Sequence, residues 1–381
     1  MRLWPARRSP RRPAFSPDDA FFIGELLGRS LDGVVEVHDR EVGPGVLAFR
    51  GRLLIEPARA LDLLIERFRA LGFTPLLRPE GDGVVVHALP RPVTVEPQRI
   101  TLNVVLFLLT CATTLLAGAL FFASATFDPL GSSSLAAWLL TGVPFAFTLL
   151  SILGVHEFGH YFTARYYKAS VSLPYFIPAP PIVLFGTFGA IIRMRSPARD
   201  RNSLFDIAAA GPLAGLVVAV AAVVTGLAWS RVAPVPVGET IQFGDPLLMQ
   251  LFVYLSFGPL PEGNDVFLHP VGVAGWAGLL VTALNLFPVG QLDGGRIAYA
   301  LFGRRHRMVG MAAFAALLLL GTLTGSVNWF VWAGLLLFLV GFHHSPPLDD
   351  VTPLTPGRRA VGVLCLLLLV LLVPPVPIQF T

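Results

Sequence analysis

Charge is what this sequence has least of. Only 14% of its 381 residues are Asp, Glu, Lys or Arg, against 54% hydrophobic, which leaves too little polar side chain to cover an ordinary soluble globule. Cysteine is scarce too. The two, Cys111 and Cys365, both sit inside apolar runs, which excludes a disulfide framework and makes them small packing residues. A basic surface for nucleic acid is also missing. The formal net charge is +4, and the basic residues gather at the ends of apolar runs, where they orient a chain in a membrane. These absences describe a polytopic α-helical membrane protein whose first partner is the lipid bilayer.

The first hundred residues differ from the rest. Residues 1–31 open with the basic, proline-rich MRLWPARRSPRRPAFS and read as a disordered arm near anionic lipid. No secretory apolar core follows, so a bacterial inner membrane is expected ahead of a plastid one. Residues 32–98 read as a small soluble ββαββ domain of α+β type. VVEVH and VLAFRG have strand character, PARALDLLIERFRALG is an amphipathic helix closed by glycine, and TPLLRPEGDGVVVHAL is a hairpin turning at GDG.

Beyond this domain lie about seven apolar runs long enough for a hydrocarbon core of about 30 Å: residues 101–124, 135–165, 204–230, 271–288, 308–325, 327–343 and 359–376. Residues 99–303 form one core region and 304–381 add C-terminal helices. Arg165, Lys168, Arg193, Arg195, Arg199 and Arg201 follow the second run, Arg296, Arg304, Arg305 and Arg307 the fourth, and Arg358 and Arg359 precede the seventh. Arg231 alone lies on the other side, so the N-terminal domain is expected in the cytoplasm. Within SVSLPYFIPAPPIVLFGTFGAIIRMRSP the prolines forbid a continuous helix. The segment is expected to re-enter the membrane with strand-like structure facing protein or a wet cavity.

In LGVHEFGHYF, His156, Glu157 and His160 interrupt an apolar run. Residues four apart share a helix face, so both imidazoles can reach one ion, while Glu157 projects beside it as a general base. Buried ionisable groups cost on the order of 2.5–3.5 kcal/mol each on insertion scales, and a divalent cation offsets that cost. Two histidines interacting only with neighbouring helices is the plainer alternative. A catalytic zinc site needs a third protein ligand. Asp293 in NLFPVGQLDGG is the candidate, because Pro288 and Gly290 break the helix before it. Its plainer role is to cap the helix that follows. Asp200 and Asp206 compete less well, one flanked by arginines and the other at a helix start.

HEFGH in an apolar helix, with NLFPVGQLDGG downstream and FGTFGAI and AAAGPLAG between, resembles the site-2 protease family of intramembrane zinc metalloproteases, in its form with an N-terminal domain and no PDZ insertion. The resemblance covers residues 135–303. It implies that His156, His160 and Asp293 bind one Zn²⁺ and that Glu157 is the general acid/base. It implies further that Asn285 helps hold the scissile carbonyl, and that Gly186, Thr187, Phe188, Gly189, Ala190 and Ile191 receive an unwound substrate, a single-span membrane protein. One departure is visible: Leu286 and the turn FPVGQ stand where the family has N-P-x-P. A metal-ion transporter and a catalytically silent scaffold are the competing readings. Against the first, transport needs no glutamate directly after the first histidine.

Overall fold

The computed structural model describes residues 17–43, 46–90, 100–122, 134–180, 183–235, 241–342 and 344–380. The first sixteen residues of the basic arm lie outside them. The chain divides into two compact units. One comprises residues 1–97, 195–205 and 345–358, and the other takes the remainder.

The first unit is a four-stranded sheet with two helices: α1 (Pro17–Arg29), β1 (Val35–Gly43), β2 (Val46–Leu53), α2 (Pro57–Ala70), β3 (Thr74–Glu80) and β4 (Gly83–Leu89). The strands lie in the order β1-β2-β4-β3, all pairs antiparallel. On α2 the buried Ala60, Leu61, Leu64 and Phe68 recur at helical spacing, so one face packs on the sheet while the arginines stay outside. Helix α1 falls in the stretch expected to be disordered. It is ordered by burial, since Leu27 joins the core around Phe49 and Phe68.

Two later segments complete this sheet, although sequence assigned them to the membrane regions. Leu77 donates its N–H to the Leu348 carbonyl (2.8 Å) and Asp350 donates to Leu77 (3.0 Å), while Leu348 and Asp349 donate to Ala198 and Arg199. The 348–350 stretch thus lies between β3 and residues 198–199, satisfying an otherwise bare edge. Arg201 closes on Asp350 (2.8 Å) and Arg199 on Asp62 (2.7 Å). The Arg199 guanidinium holds the Asp62 carboxyl below the usual carboxylate range.

The second unit is helical, with short strands between the helices. It runs α3 (Ile100–Phe122), α4 (Leu135–Thr141), α5 (Val143–Tyr166), β5 (Tyr175–Pro178), β6 (Thr187–Ile191), α6 (Arg201–Ala228), β7 (Arg231–Pro234), β8 (Ile241–Phe243), α7 (Leu247–Phe257), β9 (Asn264–Phe267), α8 (Pro270–Leu286), α9 (Asp293–Phe302), α10 (His306–Thr324), α11 (Val327–Leu335), α12 (Pro356–Leu372) and β10 (Ile378–Phe380). Three helical runs among the described residues are long and apolar enough to cross a bilayer: α3, α6 and the 32-residue run Asp293–Thr324. Helices α4 and α5, bent by 44°, add a fourth if they form one span. Leu102, Val105 and Leu108 on α3 are exposed, as suits a lipid-facing surface.

Three of the seven expected crossings are shorter than expected. Residues 271–288 and 359–376 correspond to the 17-residue helices α8 and α12. Residues 327–343 correspond to the nine-residue α11 followed by a π turn, Leu336–Val340. Hydropathy counts apolar side chains whatever their backbone does. Here the helices stop at the Pro288 turn and, after α11, at Gly341, whose φ is +66°.

Candidate metal centre

Helix α5 brings His156, Glu157 and His160 to one buried site, where they are 3%, 5% and 3% exposed. Their neighbour is α6. The small residues of AAAGPLAG let the two backbones approach, and a Cβ added at Gly211 would lie 2.1 Å from Nε2 of His160. No side chain larger than hydrogen fits there. The α6 residue Ile207 sets the His160 tautomer. Its carbonyl lies 2.6 Å from His160 Nδ1, and because a carbonyl only accepts, Nδ1 carries the proton and Nε2 presents a lone pair.

Asp293 enters from the other side. After α8 the chain turns through Pro288 and Gly290, whose φ of +53° is the left-handed region that glycine occupies without strain. Helix α9 then starts at Asp293. Its N-cap is Leu292, with no side-chain cap bond, so the Asp293 carboxylate is left for the histidines. Oδ2 lies 3.2 Å from His160 Nε2 and 3.5 Å from His156 Nε2, and the two Nε2 atoms are 3.2 Å apart. The edges of a tetrahedron drawn around zinc with bonds of about 2.0–2.1 Å measure about 3.3 Å. Two imidazole nitrogens and a carboxylate oxygen therefore converge at the spacing a tetrahedral cation requires, and the donor set fits zinc.

The competing carboxylates are engaged elsewhere. Asp200 accepts from the Ser203 N–H (2.7 Å) at the start of α6, and Asp206 accepts from the Tyr167 hydroxyl. Asn285 on α8 places its amide nitrogen 3.4 Å from His156 Nε2, at the edge of the centre.

Strand β6 carries Thr187 to Ile191 and pairs antiparallel with β5. Thr187 Oγ1 donates to the Ile177 carbonyl (2.8 Å) and accepts from the Gly189 N–H (3.0 Å), pinning the hairpin. Among the described residues β6 has no second strand partner. Phe188 and Ile191 are exposed, and the strand runs beside α5, the helix that carries Glu157. The hairpin is anchored from behind by Asn103 of α3, which is buried and donates to the carbonyls of Leu173 (3.1 Å) and Pro174 (2.8 Å). Sequence reasoning passed over Asn103 and Ile207. A lone asparagine in an apolar run was a readable signal for the first, whereas a backbone carbonyl leaves none.

Fold and site together define a helical chain with membrane-length helices and a two-histidine, one-aspartate cluster, beside a glutamate, that could hold a metal ion. Residues 144–326, which contain that cluster, match Peptidase family M50, a site-2 protease domain. The chain is 34% identical over 248 residues to the probable zinc metalloprotease EGY2, chloroplastic, of Arabidopsis thaliana, covering 64% of this chain and 43% of that protein. It is 30% identical over 363 residues to the protein of the same name from Oryza sativa subsp. indica, covering 90% of this chain and 64% of that one. With the probable zinc metalloprotease EGY1, chloroplastic, of Arabidopsis thaliana it shares 35% identity over 240 residues, or 61% and 43% of the two chains. The chain thus spans between about two fifths and two thirds of these relatives' length. No solved structure matches it.

Proposed function

We propose that the chain is an intramembrane zinc metalloprotease that hydrolyses a peptide bond in the transmembrane segment of a single-span membrane protein. The observation that carries this reading is the trio of ligand atoms 3.2–3.5 Å apart with Glu157 one residue from His156 on the same buried helix. His156, His160 and Asp293 would hold the ion, as the metal named for the relatives suggests. Zinc so held supplies Lewis acidity, polarising a peptide carbonyl and making water a better nucleophile. Glu157 accepts the proton of the attacking water and returns it to the leaving amine. Asn285, beside His156, donates an N–H to the carbonyl oxygen as negative charge develops there.

The unpaired edge of β6 supports the rest of the mechanism. A transmembrane substrate hides its amides in its own helix, so cleavage requires local unwinding. Addition of the freed strand to β6 satisfies those amides again and delivers the scissile bond toward Glu157. We assign seven crossings, with α8, α11 and α12 as short ones, and place the N-terminal domain on the side where the arginines gather. For the compartment, the chloroplast location in the relatives' names favours a plastid membrane over the bacterial inner membrane expected from the basic arm. No second group of three metal-ligating side chains occurs among the described residues, so nothing favours an ion-transport path. The intact donor set likewise gives no support to a silent scaffold.

The test is metal analysis of the purified chain together with cleavage of a single-span reporter, loss on chelation and recovery with Zn²⁺. Metal flux in liposomes without any cleavage would sink the proposal.

A further inference from the structure

The second unit contains a cavity of about 410 Å³ that the chemistry above does not use. It lies at the opposite end of the helices from the metal centre. Phe122 at the end of α3, Phe145 at the start of α5 and Val273 at the start of α8 contribute to its wall, whereas Asp293 follows the far end of α8. Phe145 and His156 are eleven positions apart on α5, which is about 16 Å along a helix. The wall is largely aromatic and aliphatic. Two carboxylates, Asp245 and Asp265, line it, and no basic side chain does so among the described residues. Its complement is therefore an apolar stem with a cation at its tip.

Strand β6 links the cavity to the chemistry. Phe185, in the wall, stands two residues before Thr187, where β6 begins, and β6 lies against α5, the helix that carries Glu157. A chain laid along β6 toward Glu157 would thus pass the cavity first.

We propose that this cavity is a specificity site for the substrate, taking a lysine or arginine from the juxtamembrane flank of the single-span protein, with its stem against the phenylalanines and its cation toward Asp245 and Asp265. This rests on the proteolytic reading above. The distance fixes which residue is read. Sixteen ångströms corresponds to about five residues if the substrate is extended throughout and about eleven if it stays helical. The recognised cation lies in that window, on the flank opposite the arginine-rich loops.

The experiment uses the full chain, zinc-loaded and reconstituted in liposomes, with single-span reporters in which one residue on that flank is lysine or glutamate and its position is walked outward from the cleavage point. The ratio of kcat/KM for lysine over glutamate is expected to reach on the order of tenfold within the window, the size of one charge-assisted contact. With Asp245→Lys and Asp265→Lys combined the preference is expected to reverse. A gain on the glutamate reporter cannot come from a misfolded variant. A ratio near one at every position, or a lysine preference that survives the double substitution, overturns the proposal. Binding of the same reporters to the Glu157→Gln chain is measured in parallel. A lysine preference in binding that reverses with the aspartates, without cleavage by the unmodified chain, would remove the proteolytic reading and leave the site standing. No charge preference in binding removes the site whether or not the chain cleaves. Displacement of the lysine reporter by an alkylammonium lipid alone, with no positional dependence, would identify a lipid amine as occupant and also overturn it.

Discussion

His160 Nε2 and Asp293 Oδ2 lie 3.2 Å apart across 133 residues of chain. Two elements that share no local sequence are brought together by the α6 small-residue stripe on one side and the Pro288–Gly290 turn on the other, and that meeting makes the centre. The carboxylate is the group whose place beside the histidines sequence spacing alone could not assign.

Asp293→Asn is accordingly expected to weaken zinc binding by at least about 100-fold and to abolish cleavage. Asp200→Asn and Asp206→Asn are expected to keep zinc, since those carboxylates serve Ser203 and Tyr167. Metal analysis of the three purified variants decides it. Full occupancy in Asp293→Asn would move the ligand elsewhere.

Glu157→Gln separates proton transfer from ligation. Zinc content is expected to stay at the unmodified level while the cleavage rate drops by about 10²–10⁴-fold, the usual worth of a positioned general base. Cleavage near the unmodified rate would end that assignment for Glu157.

Gly211 and Gly154 make a contrasting pair. An added methyl at Gly211 meets the His160 ring 2.1 Å away, whereas at Gly154 nothing lies within 4 Å. Gly211→Ala should displace the imidazole and lose zinc. Gly154→Ala should keep zinc and raise stability by about 0.5–1 kcal/mol through helix propensity. Zinc titration and thermal unfolding of both variants read the two effects independently.

Asn103→Leu removes the bonds to Leu173 and Pro174. Leaving these carbonyls without their donor costs about 1–3 kcal/mol and loosens the start of the β5–β6 hairpin. The expected outcome is a raised KM for the reporter with unchanged zinc content. A lowered kcat at constant KM would instead place Asn103 nearer the chemistry than the hairpin contacts suggest.

The seven-crossing assignment is checked by reporter fusions. A fusion after Ser230 is expected on the side opposite the N-terminal domain and one at Arg304 on the same side. Both on one side would mean that α8 does not cross.

Much of the design was legible locally. His156 and His160 share a face because a helix repeats every 3.6 residues, and Glu157 follows from adjacency alone. The apolar face of α2 and the hairpin at GDG are equally local, since side-chain period reports which face is buried. Crossing length was less legible. Hydropathy read residues 327–343 as one span, whereas α11 gives way to a π turn before Gly341. The edge of the first unit was not legible at all, because Leu348 bonds Leu77 through backbone groups that every residue carries.

By itself the sequence determined that the chain carries apolar helices of membrane length, that two imidazoles and a glutamate sit on one helix, and that the backbone breaks before Asp293. Composition and short-range periodicity suffice for each. Only the tertiary structure decided that Asp293 reaches the histidines instead of capping α9, that the Ile207 carbonyl orients His160, and that β6 keeps one edge unpaired among the described residues. Those outcomes depend on helices packing closely enough to place atoms within 3.5 Å of one another, and such packing is a property of the folded chain, with no counterpart in residue order.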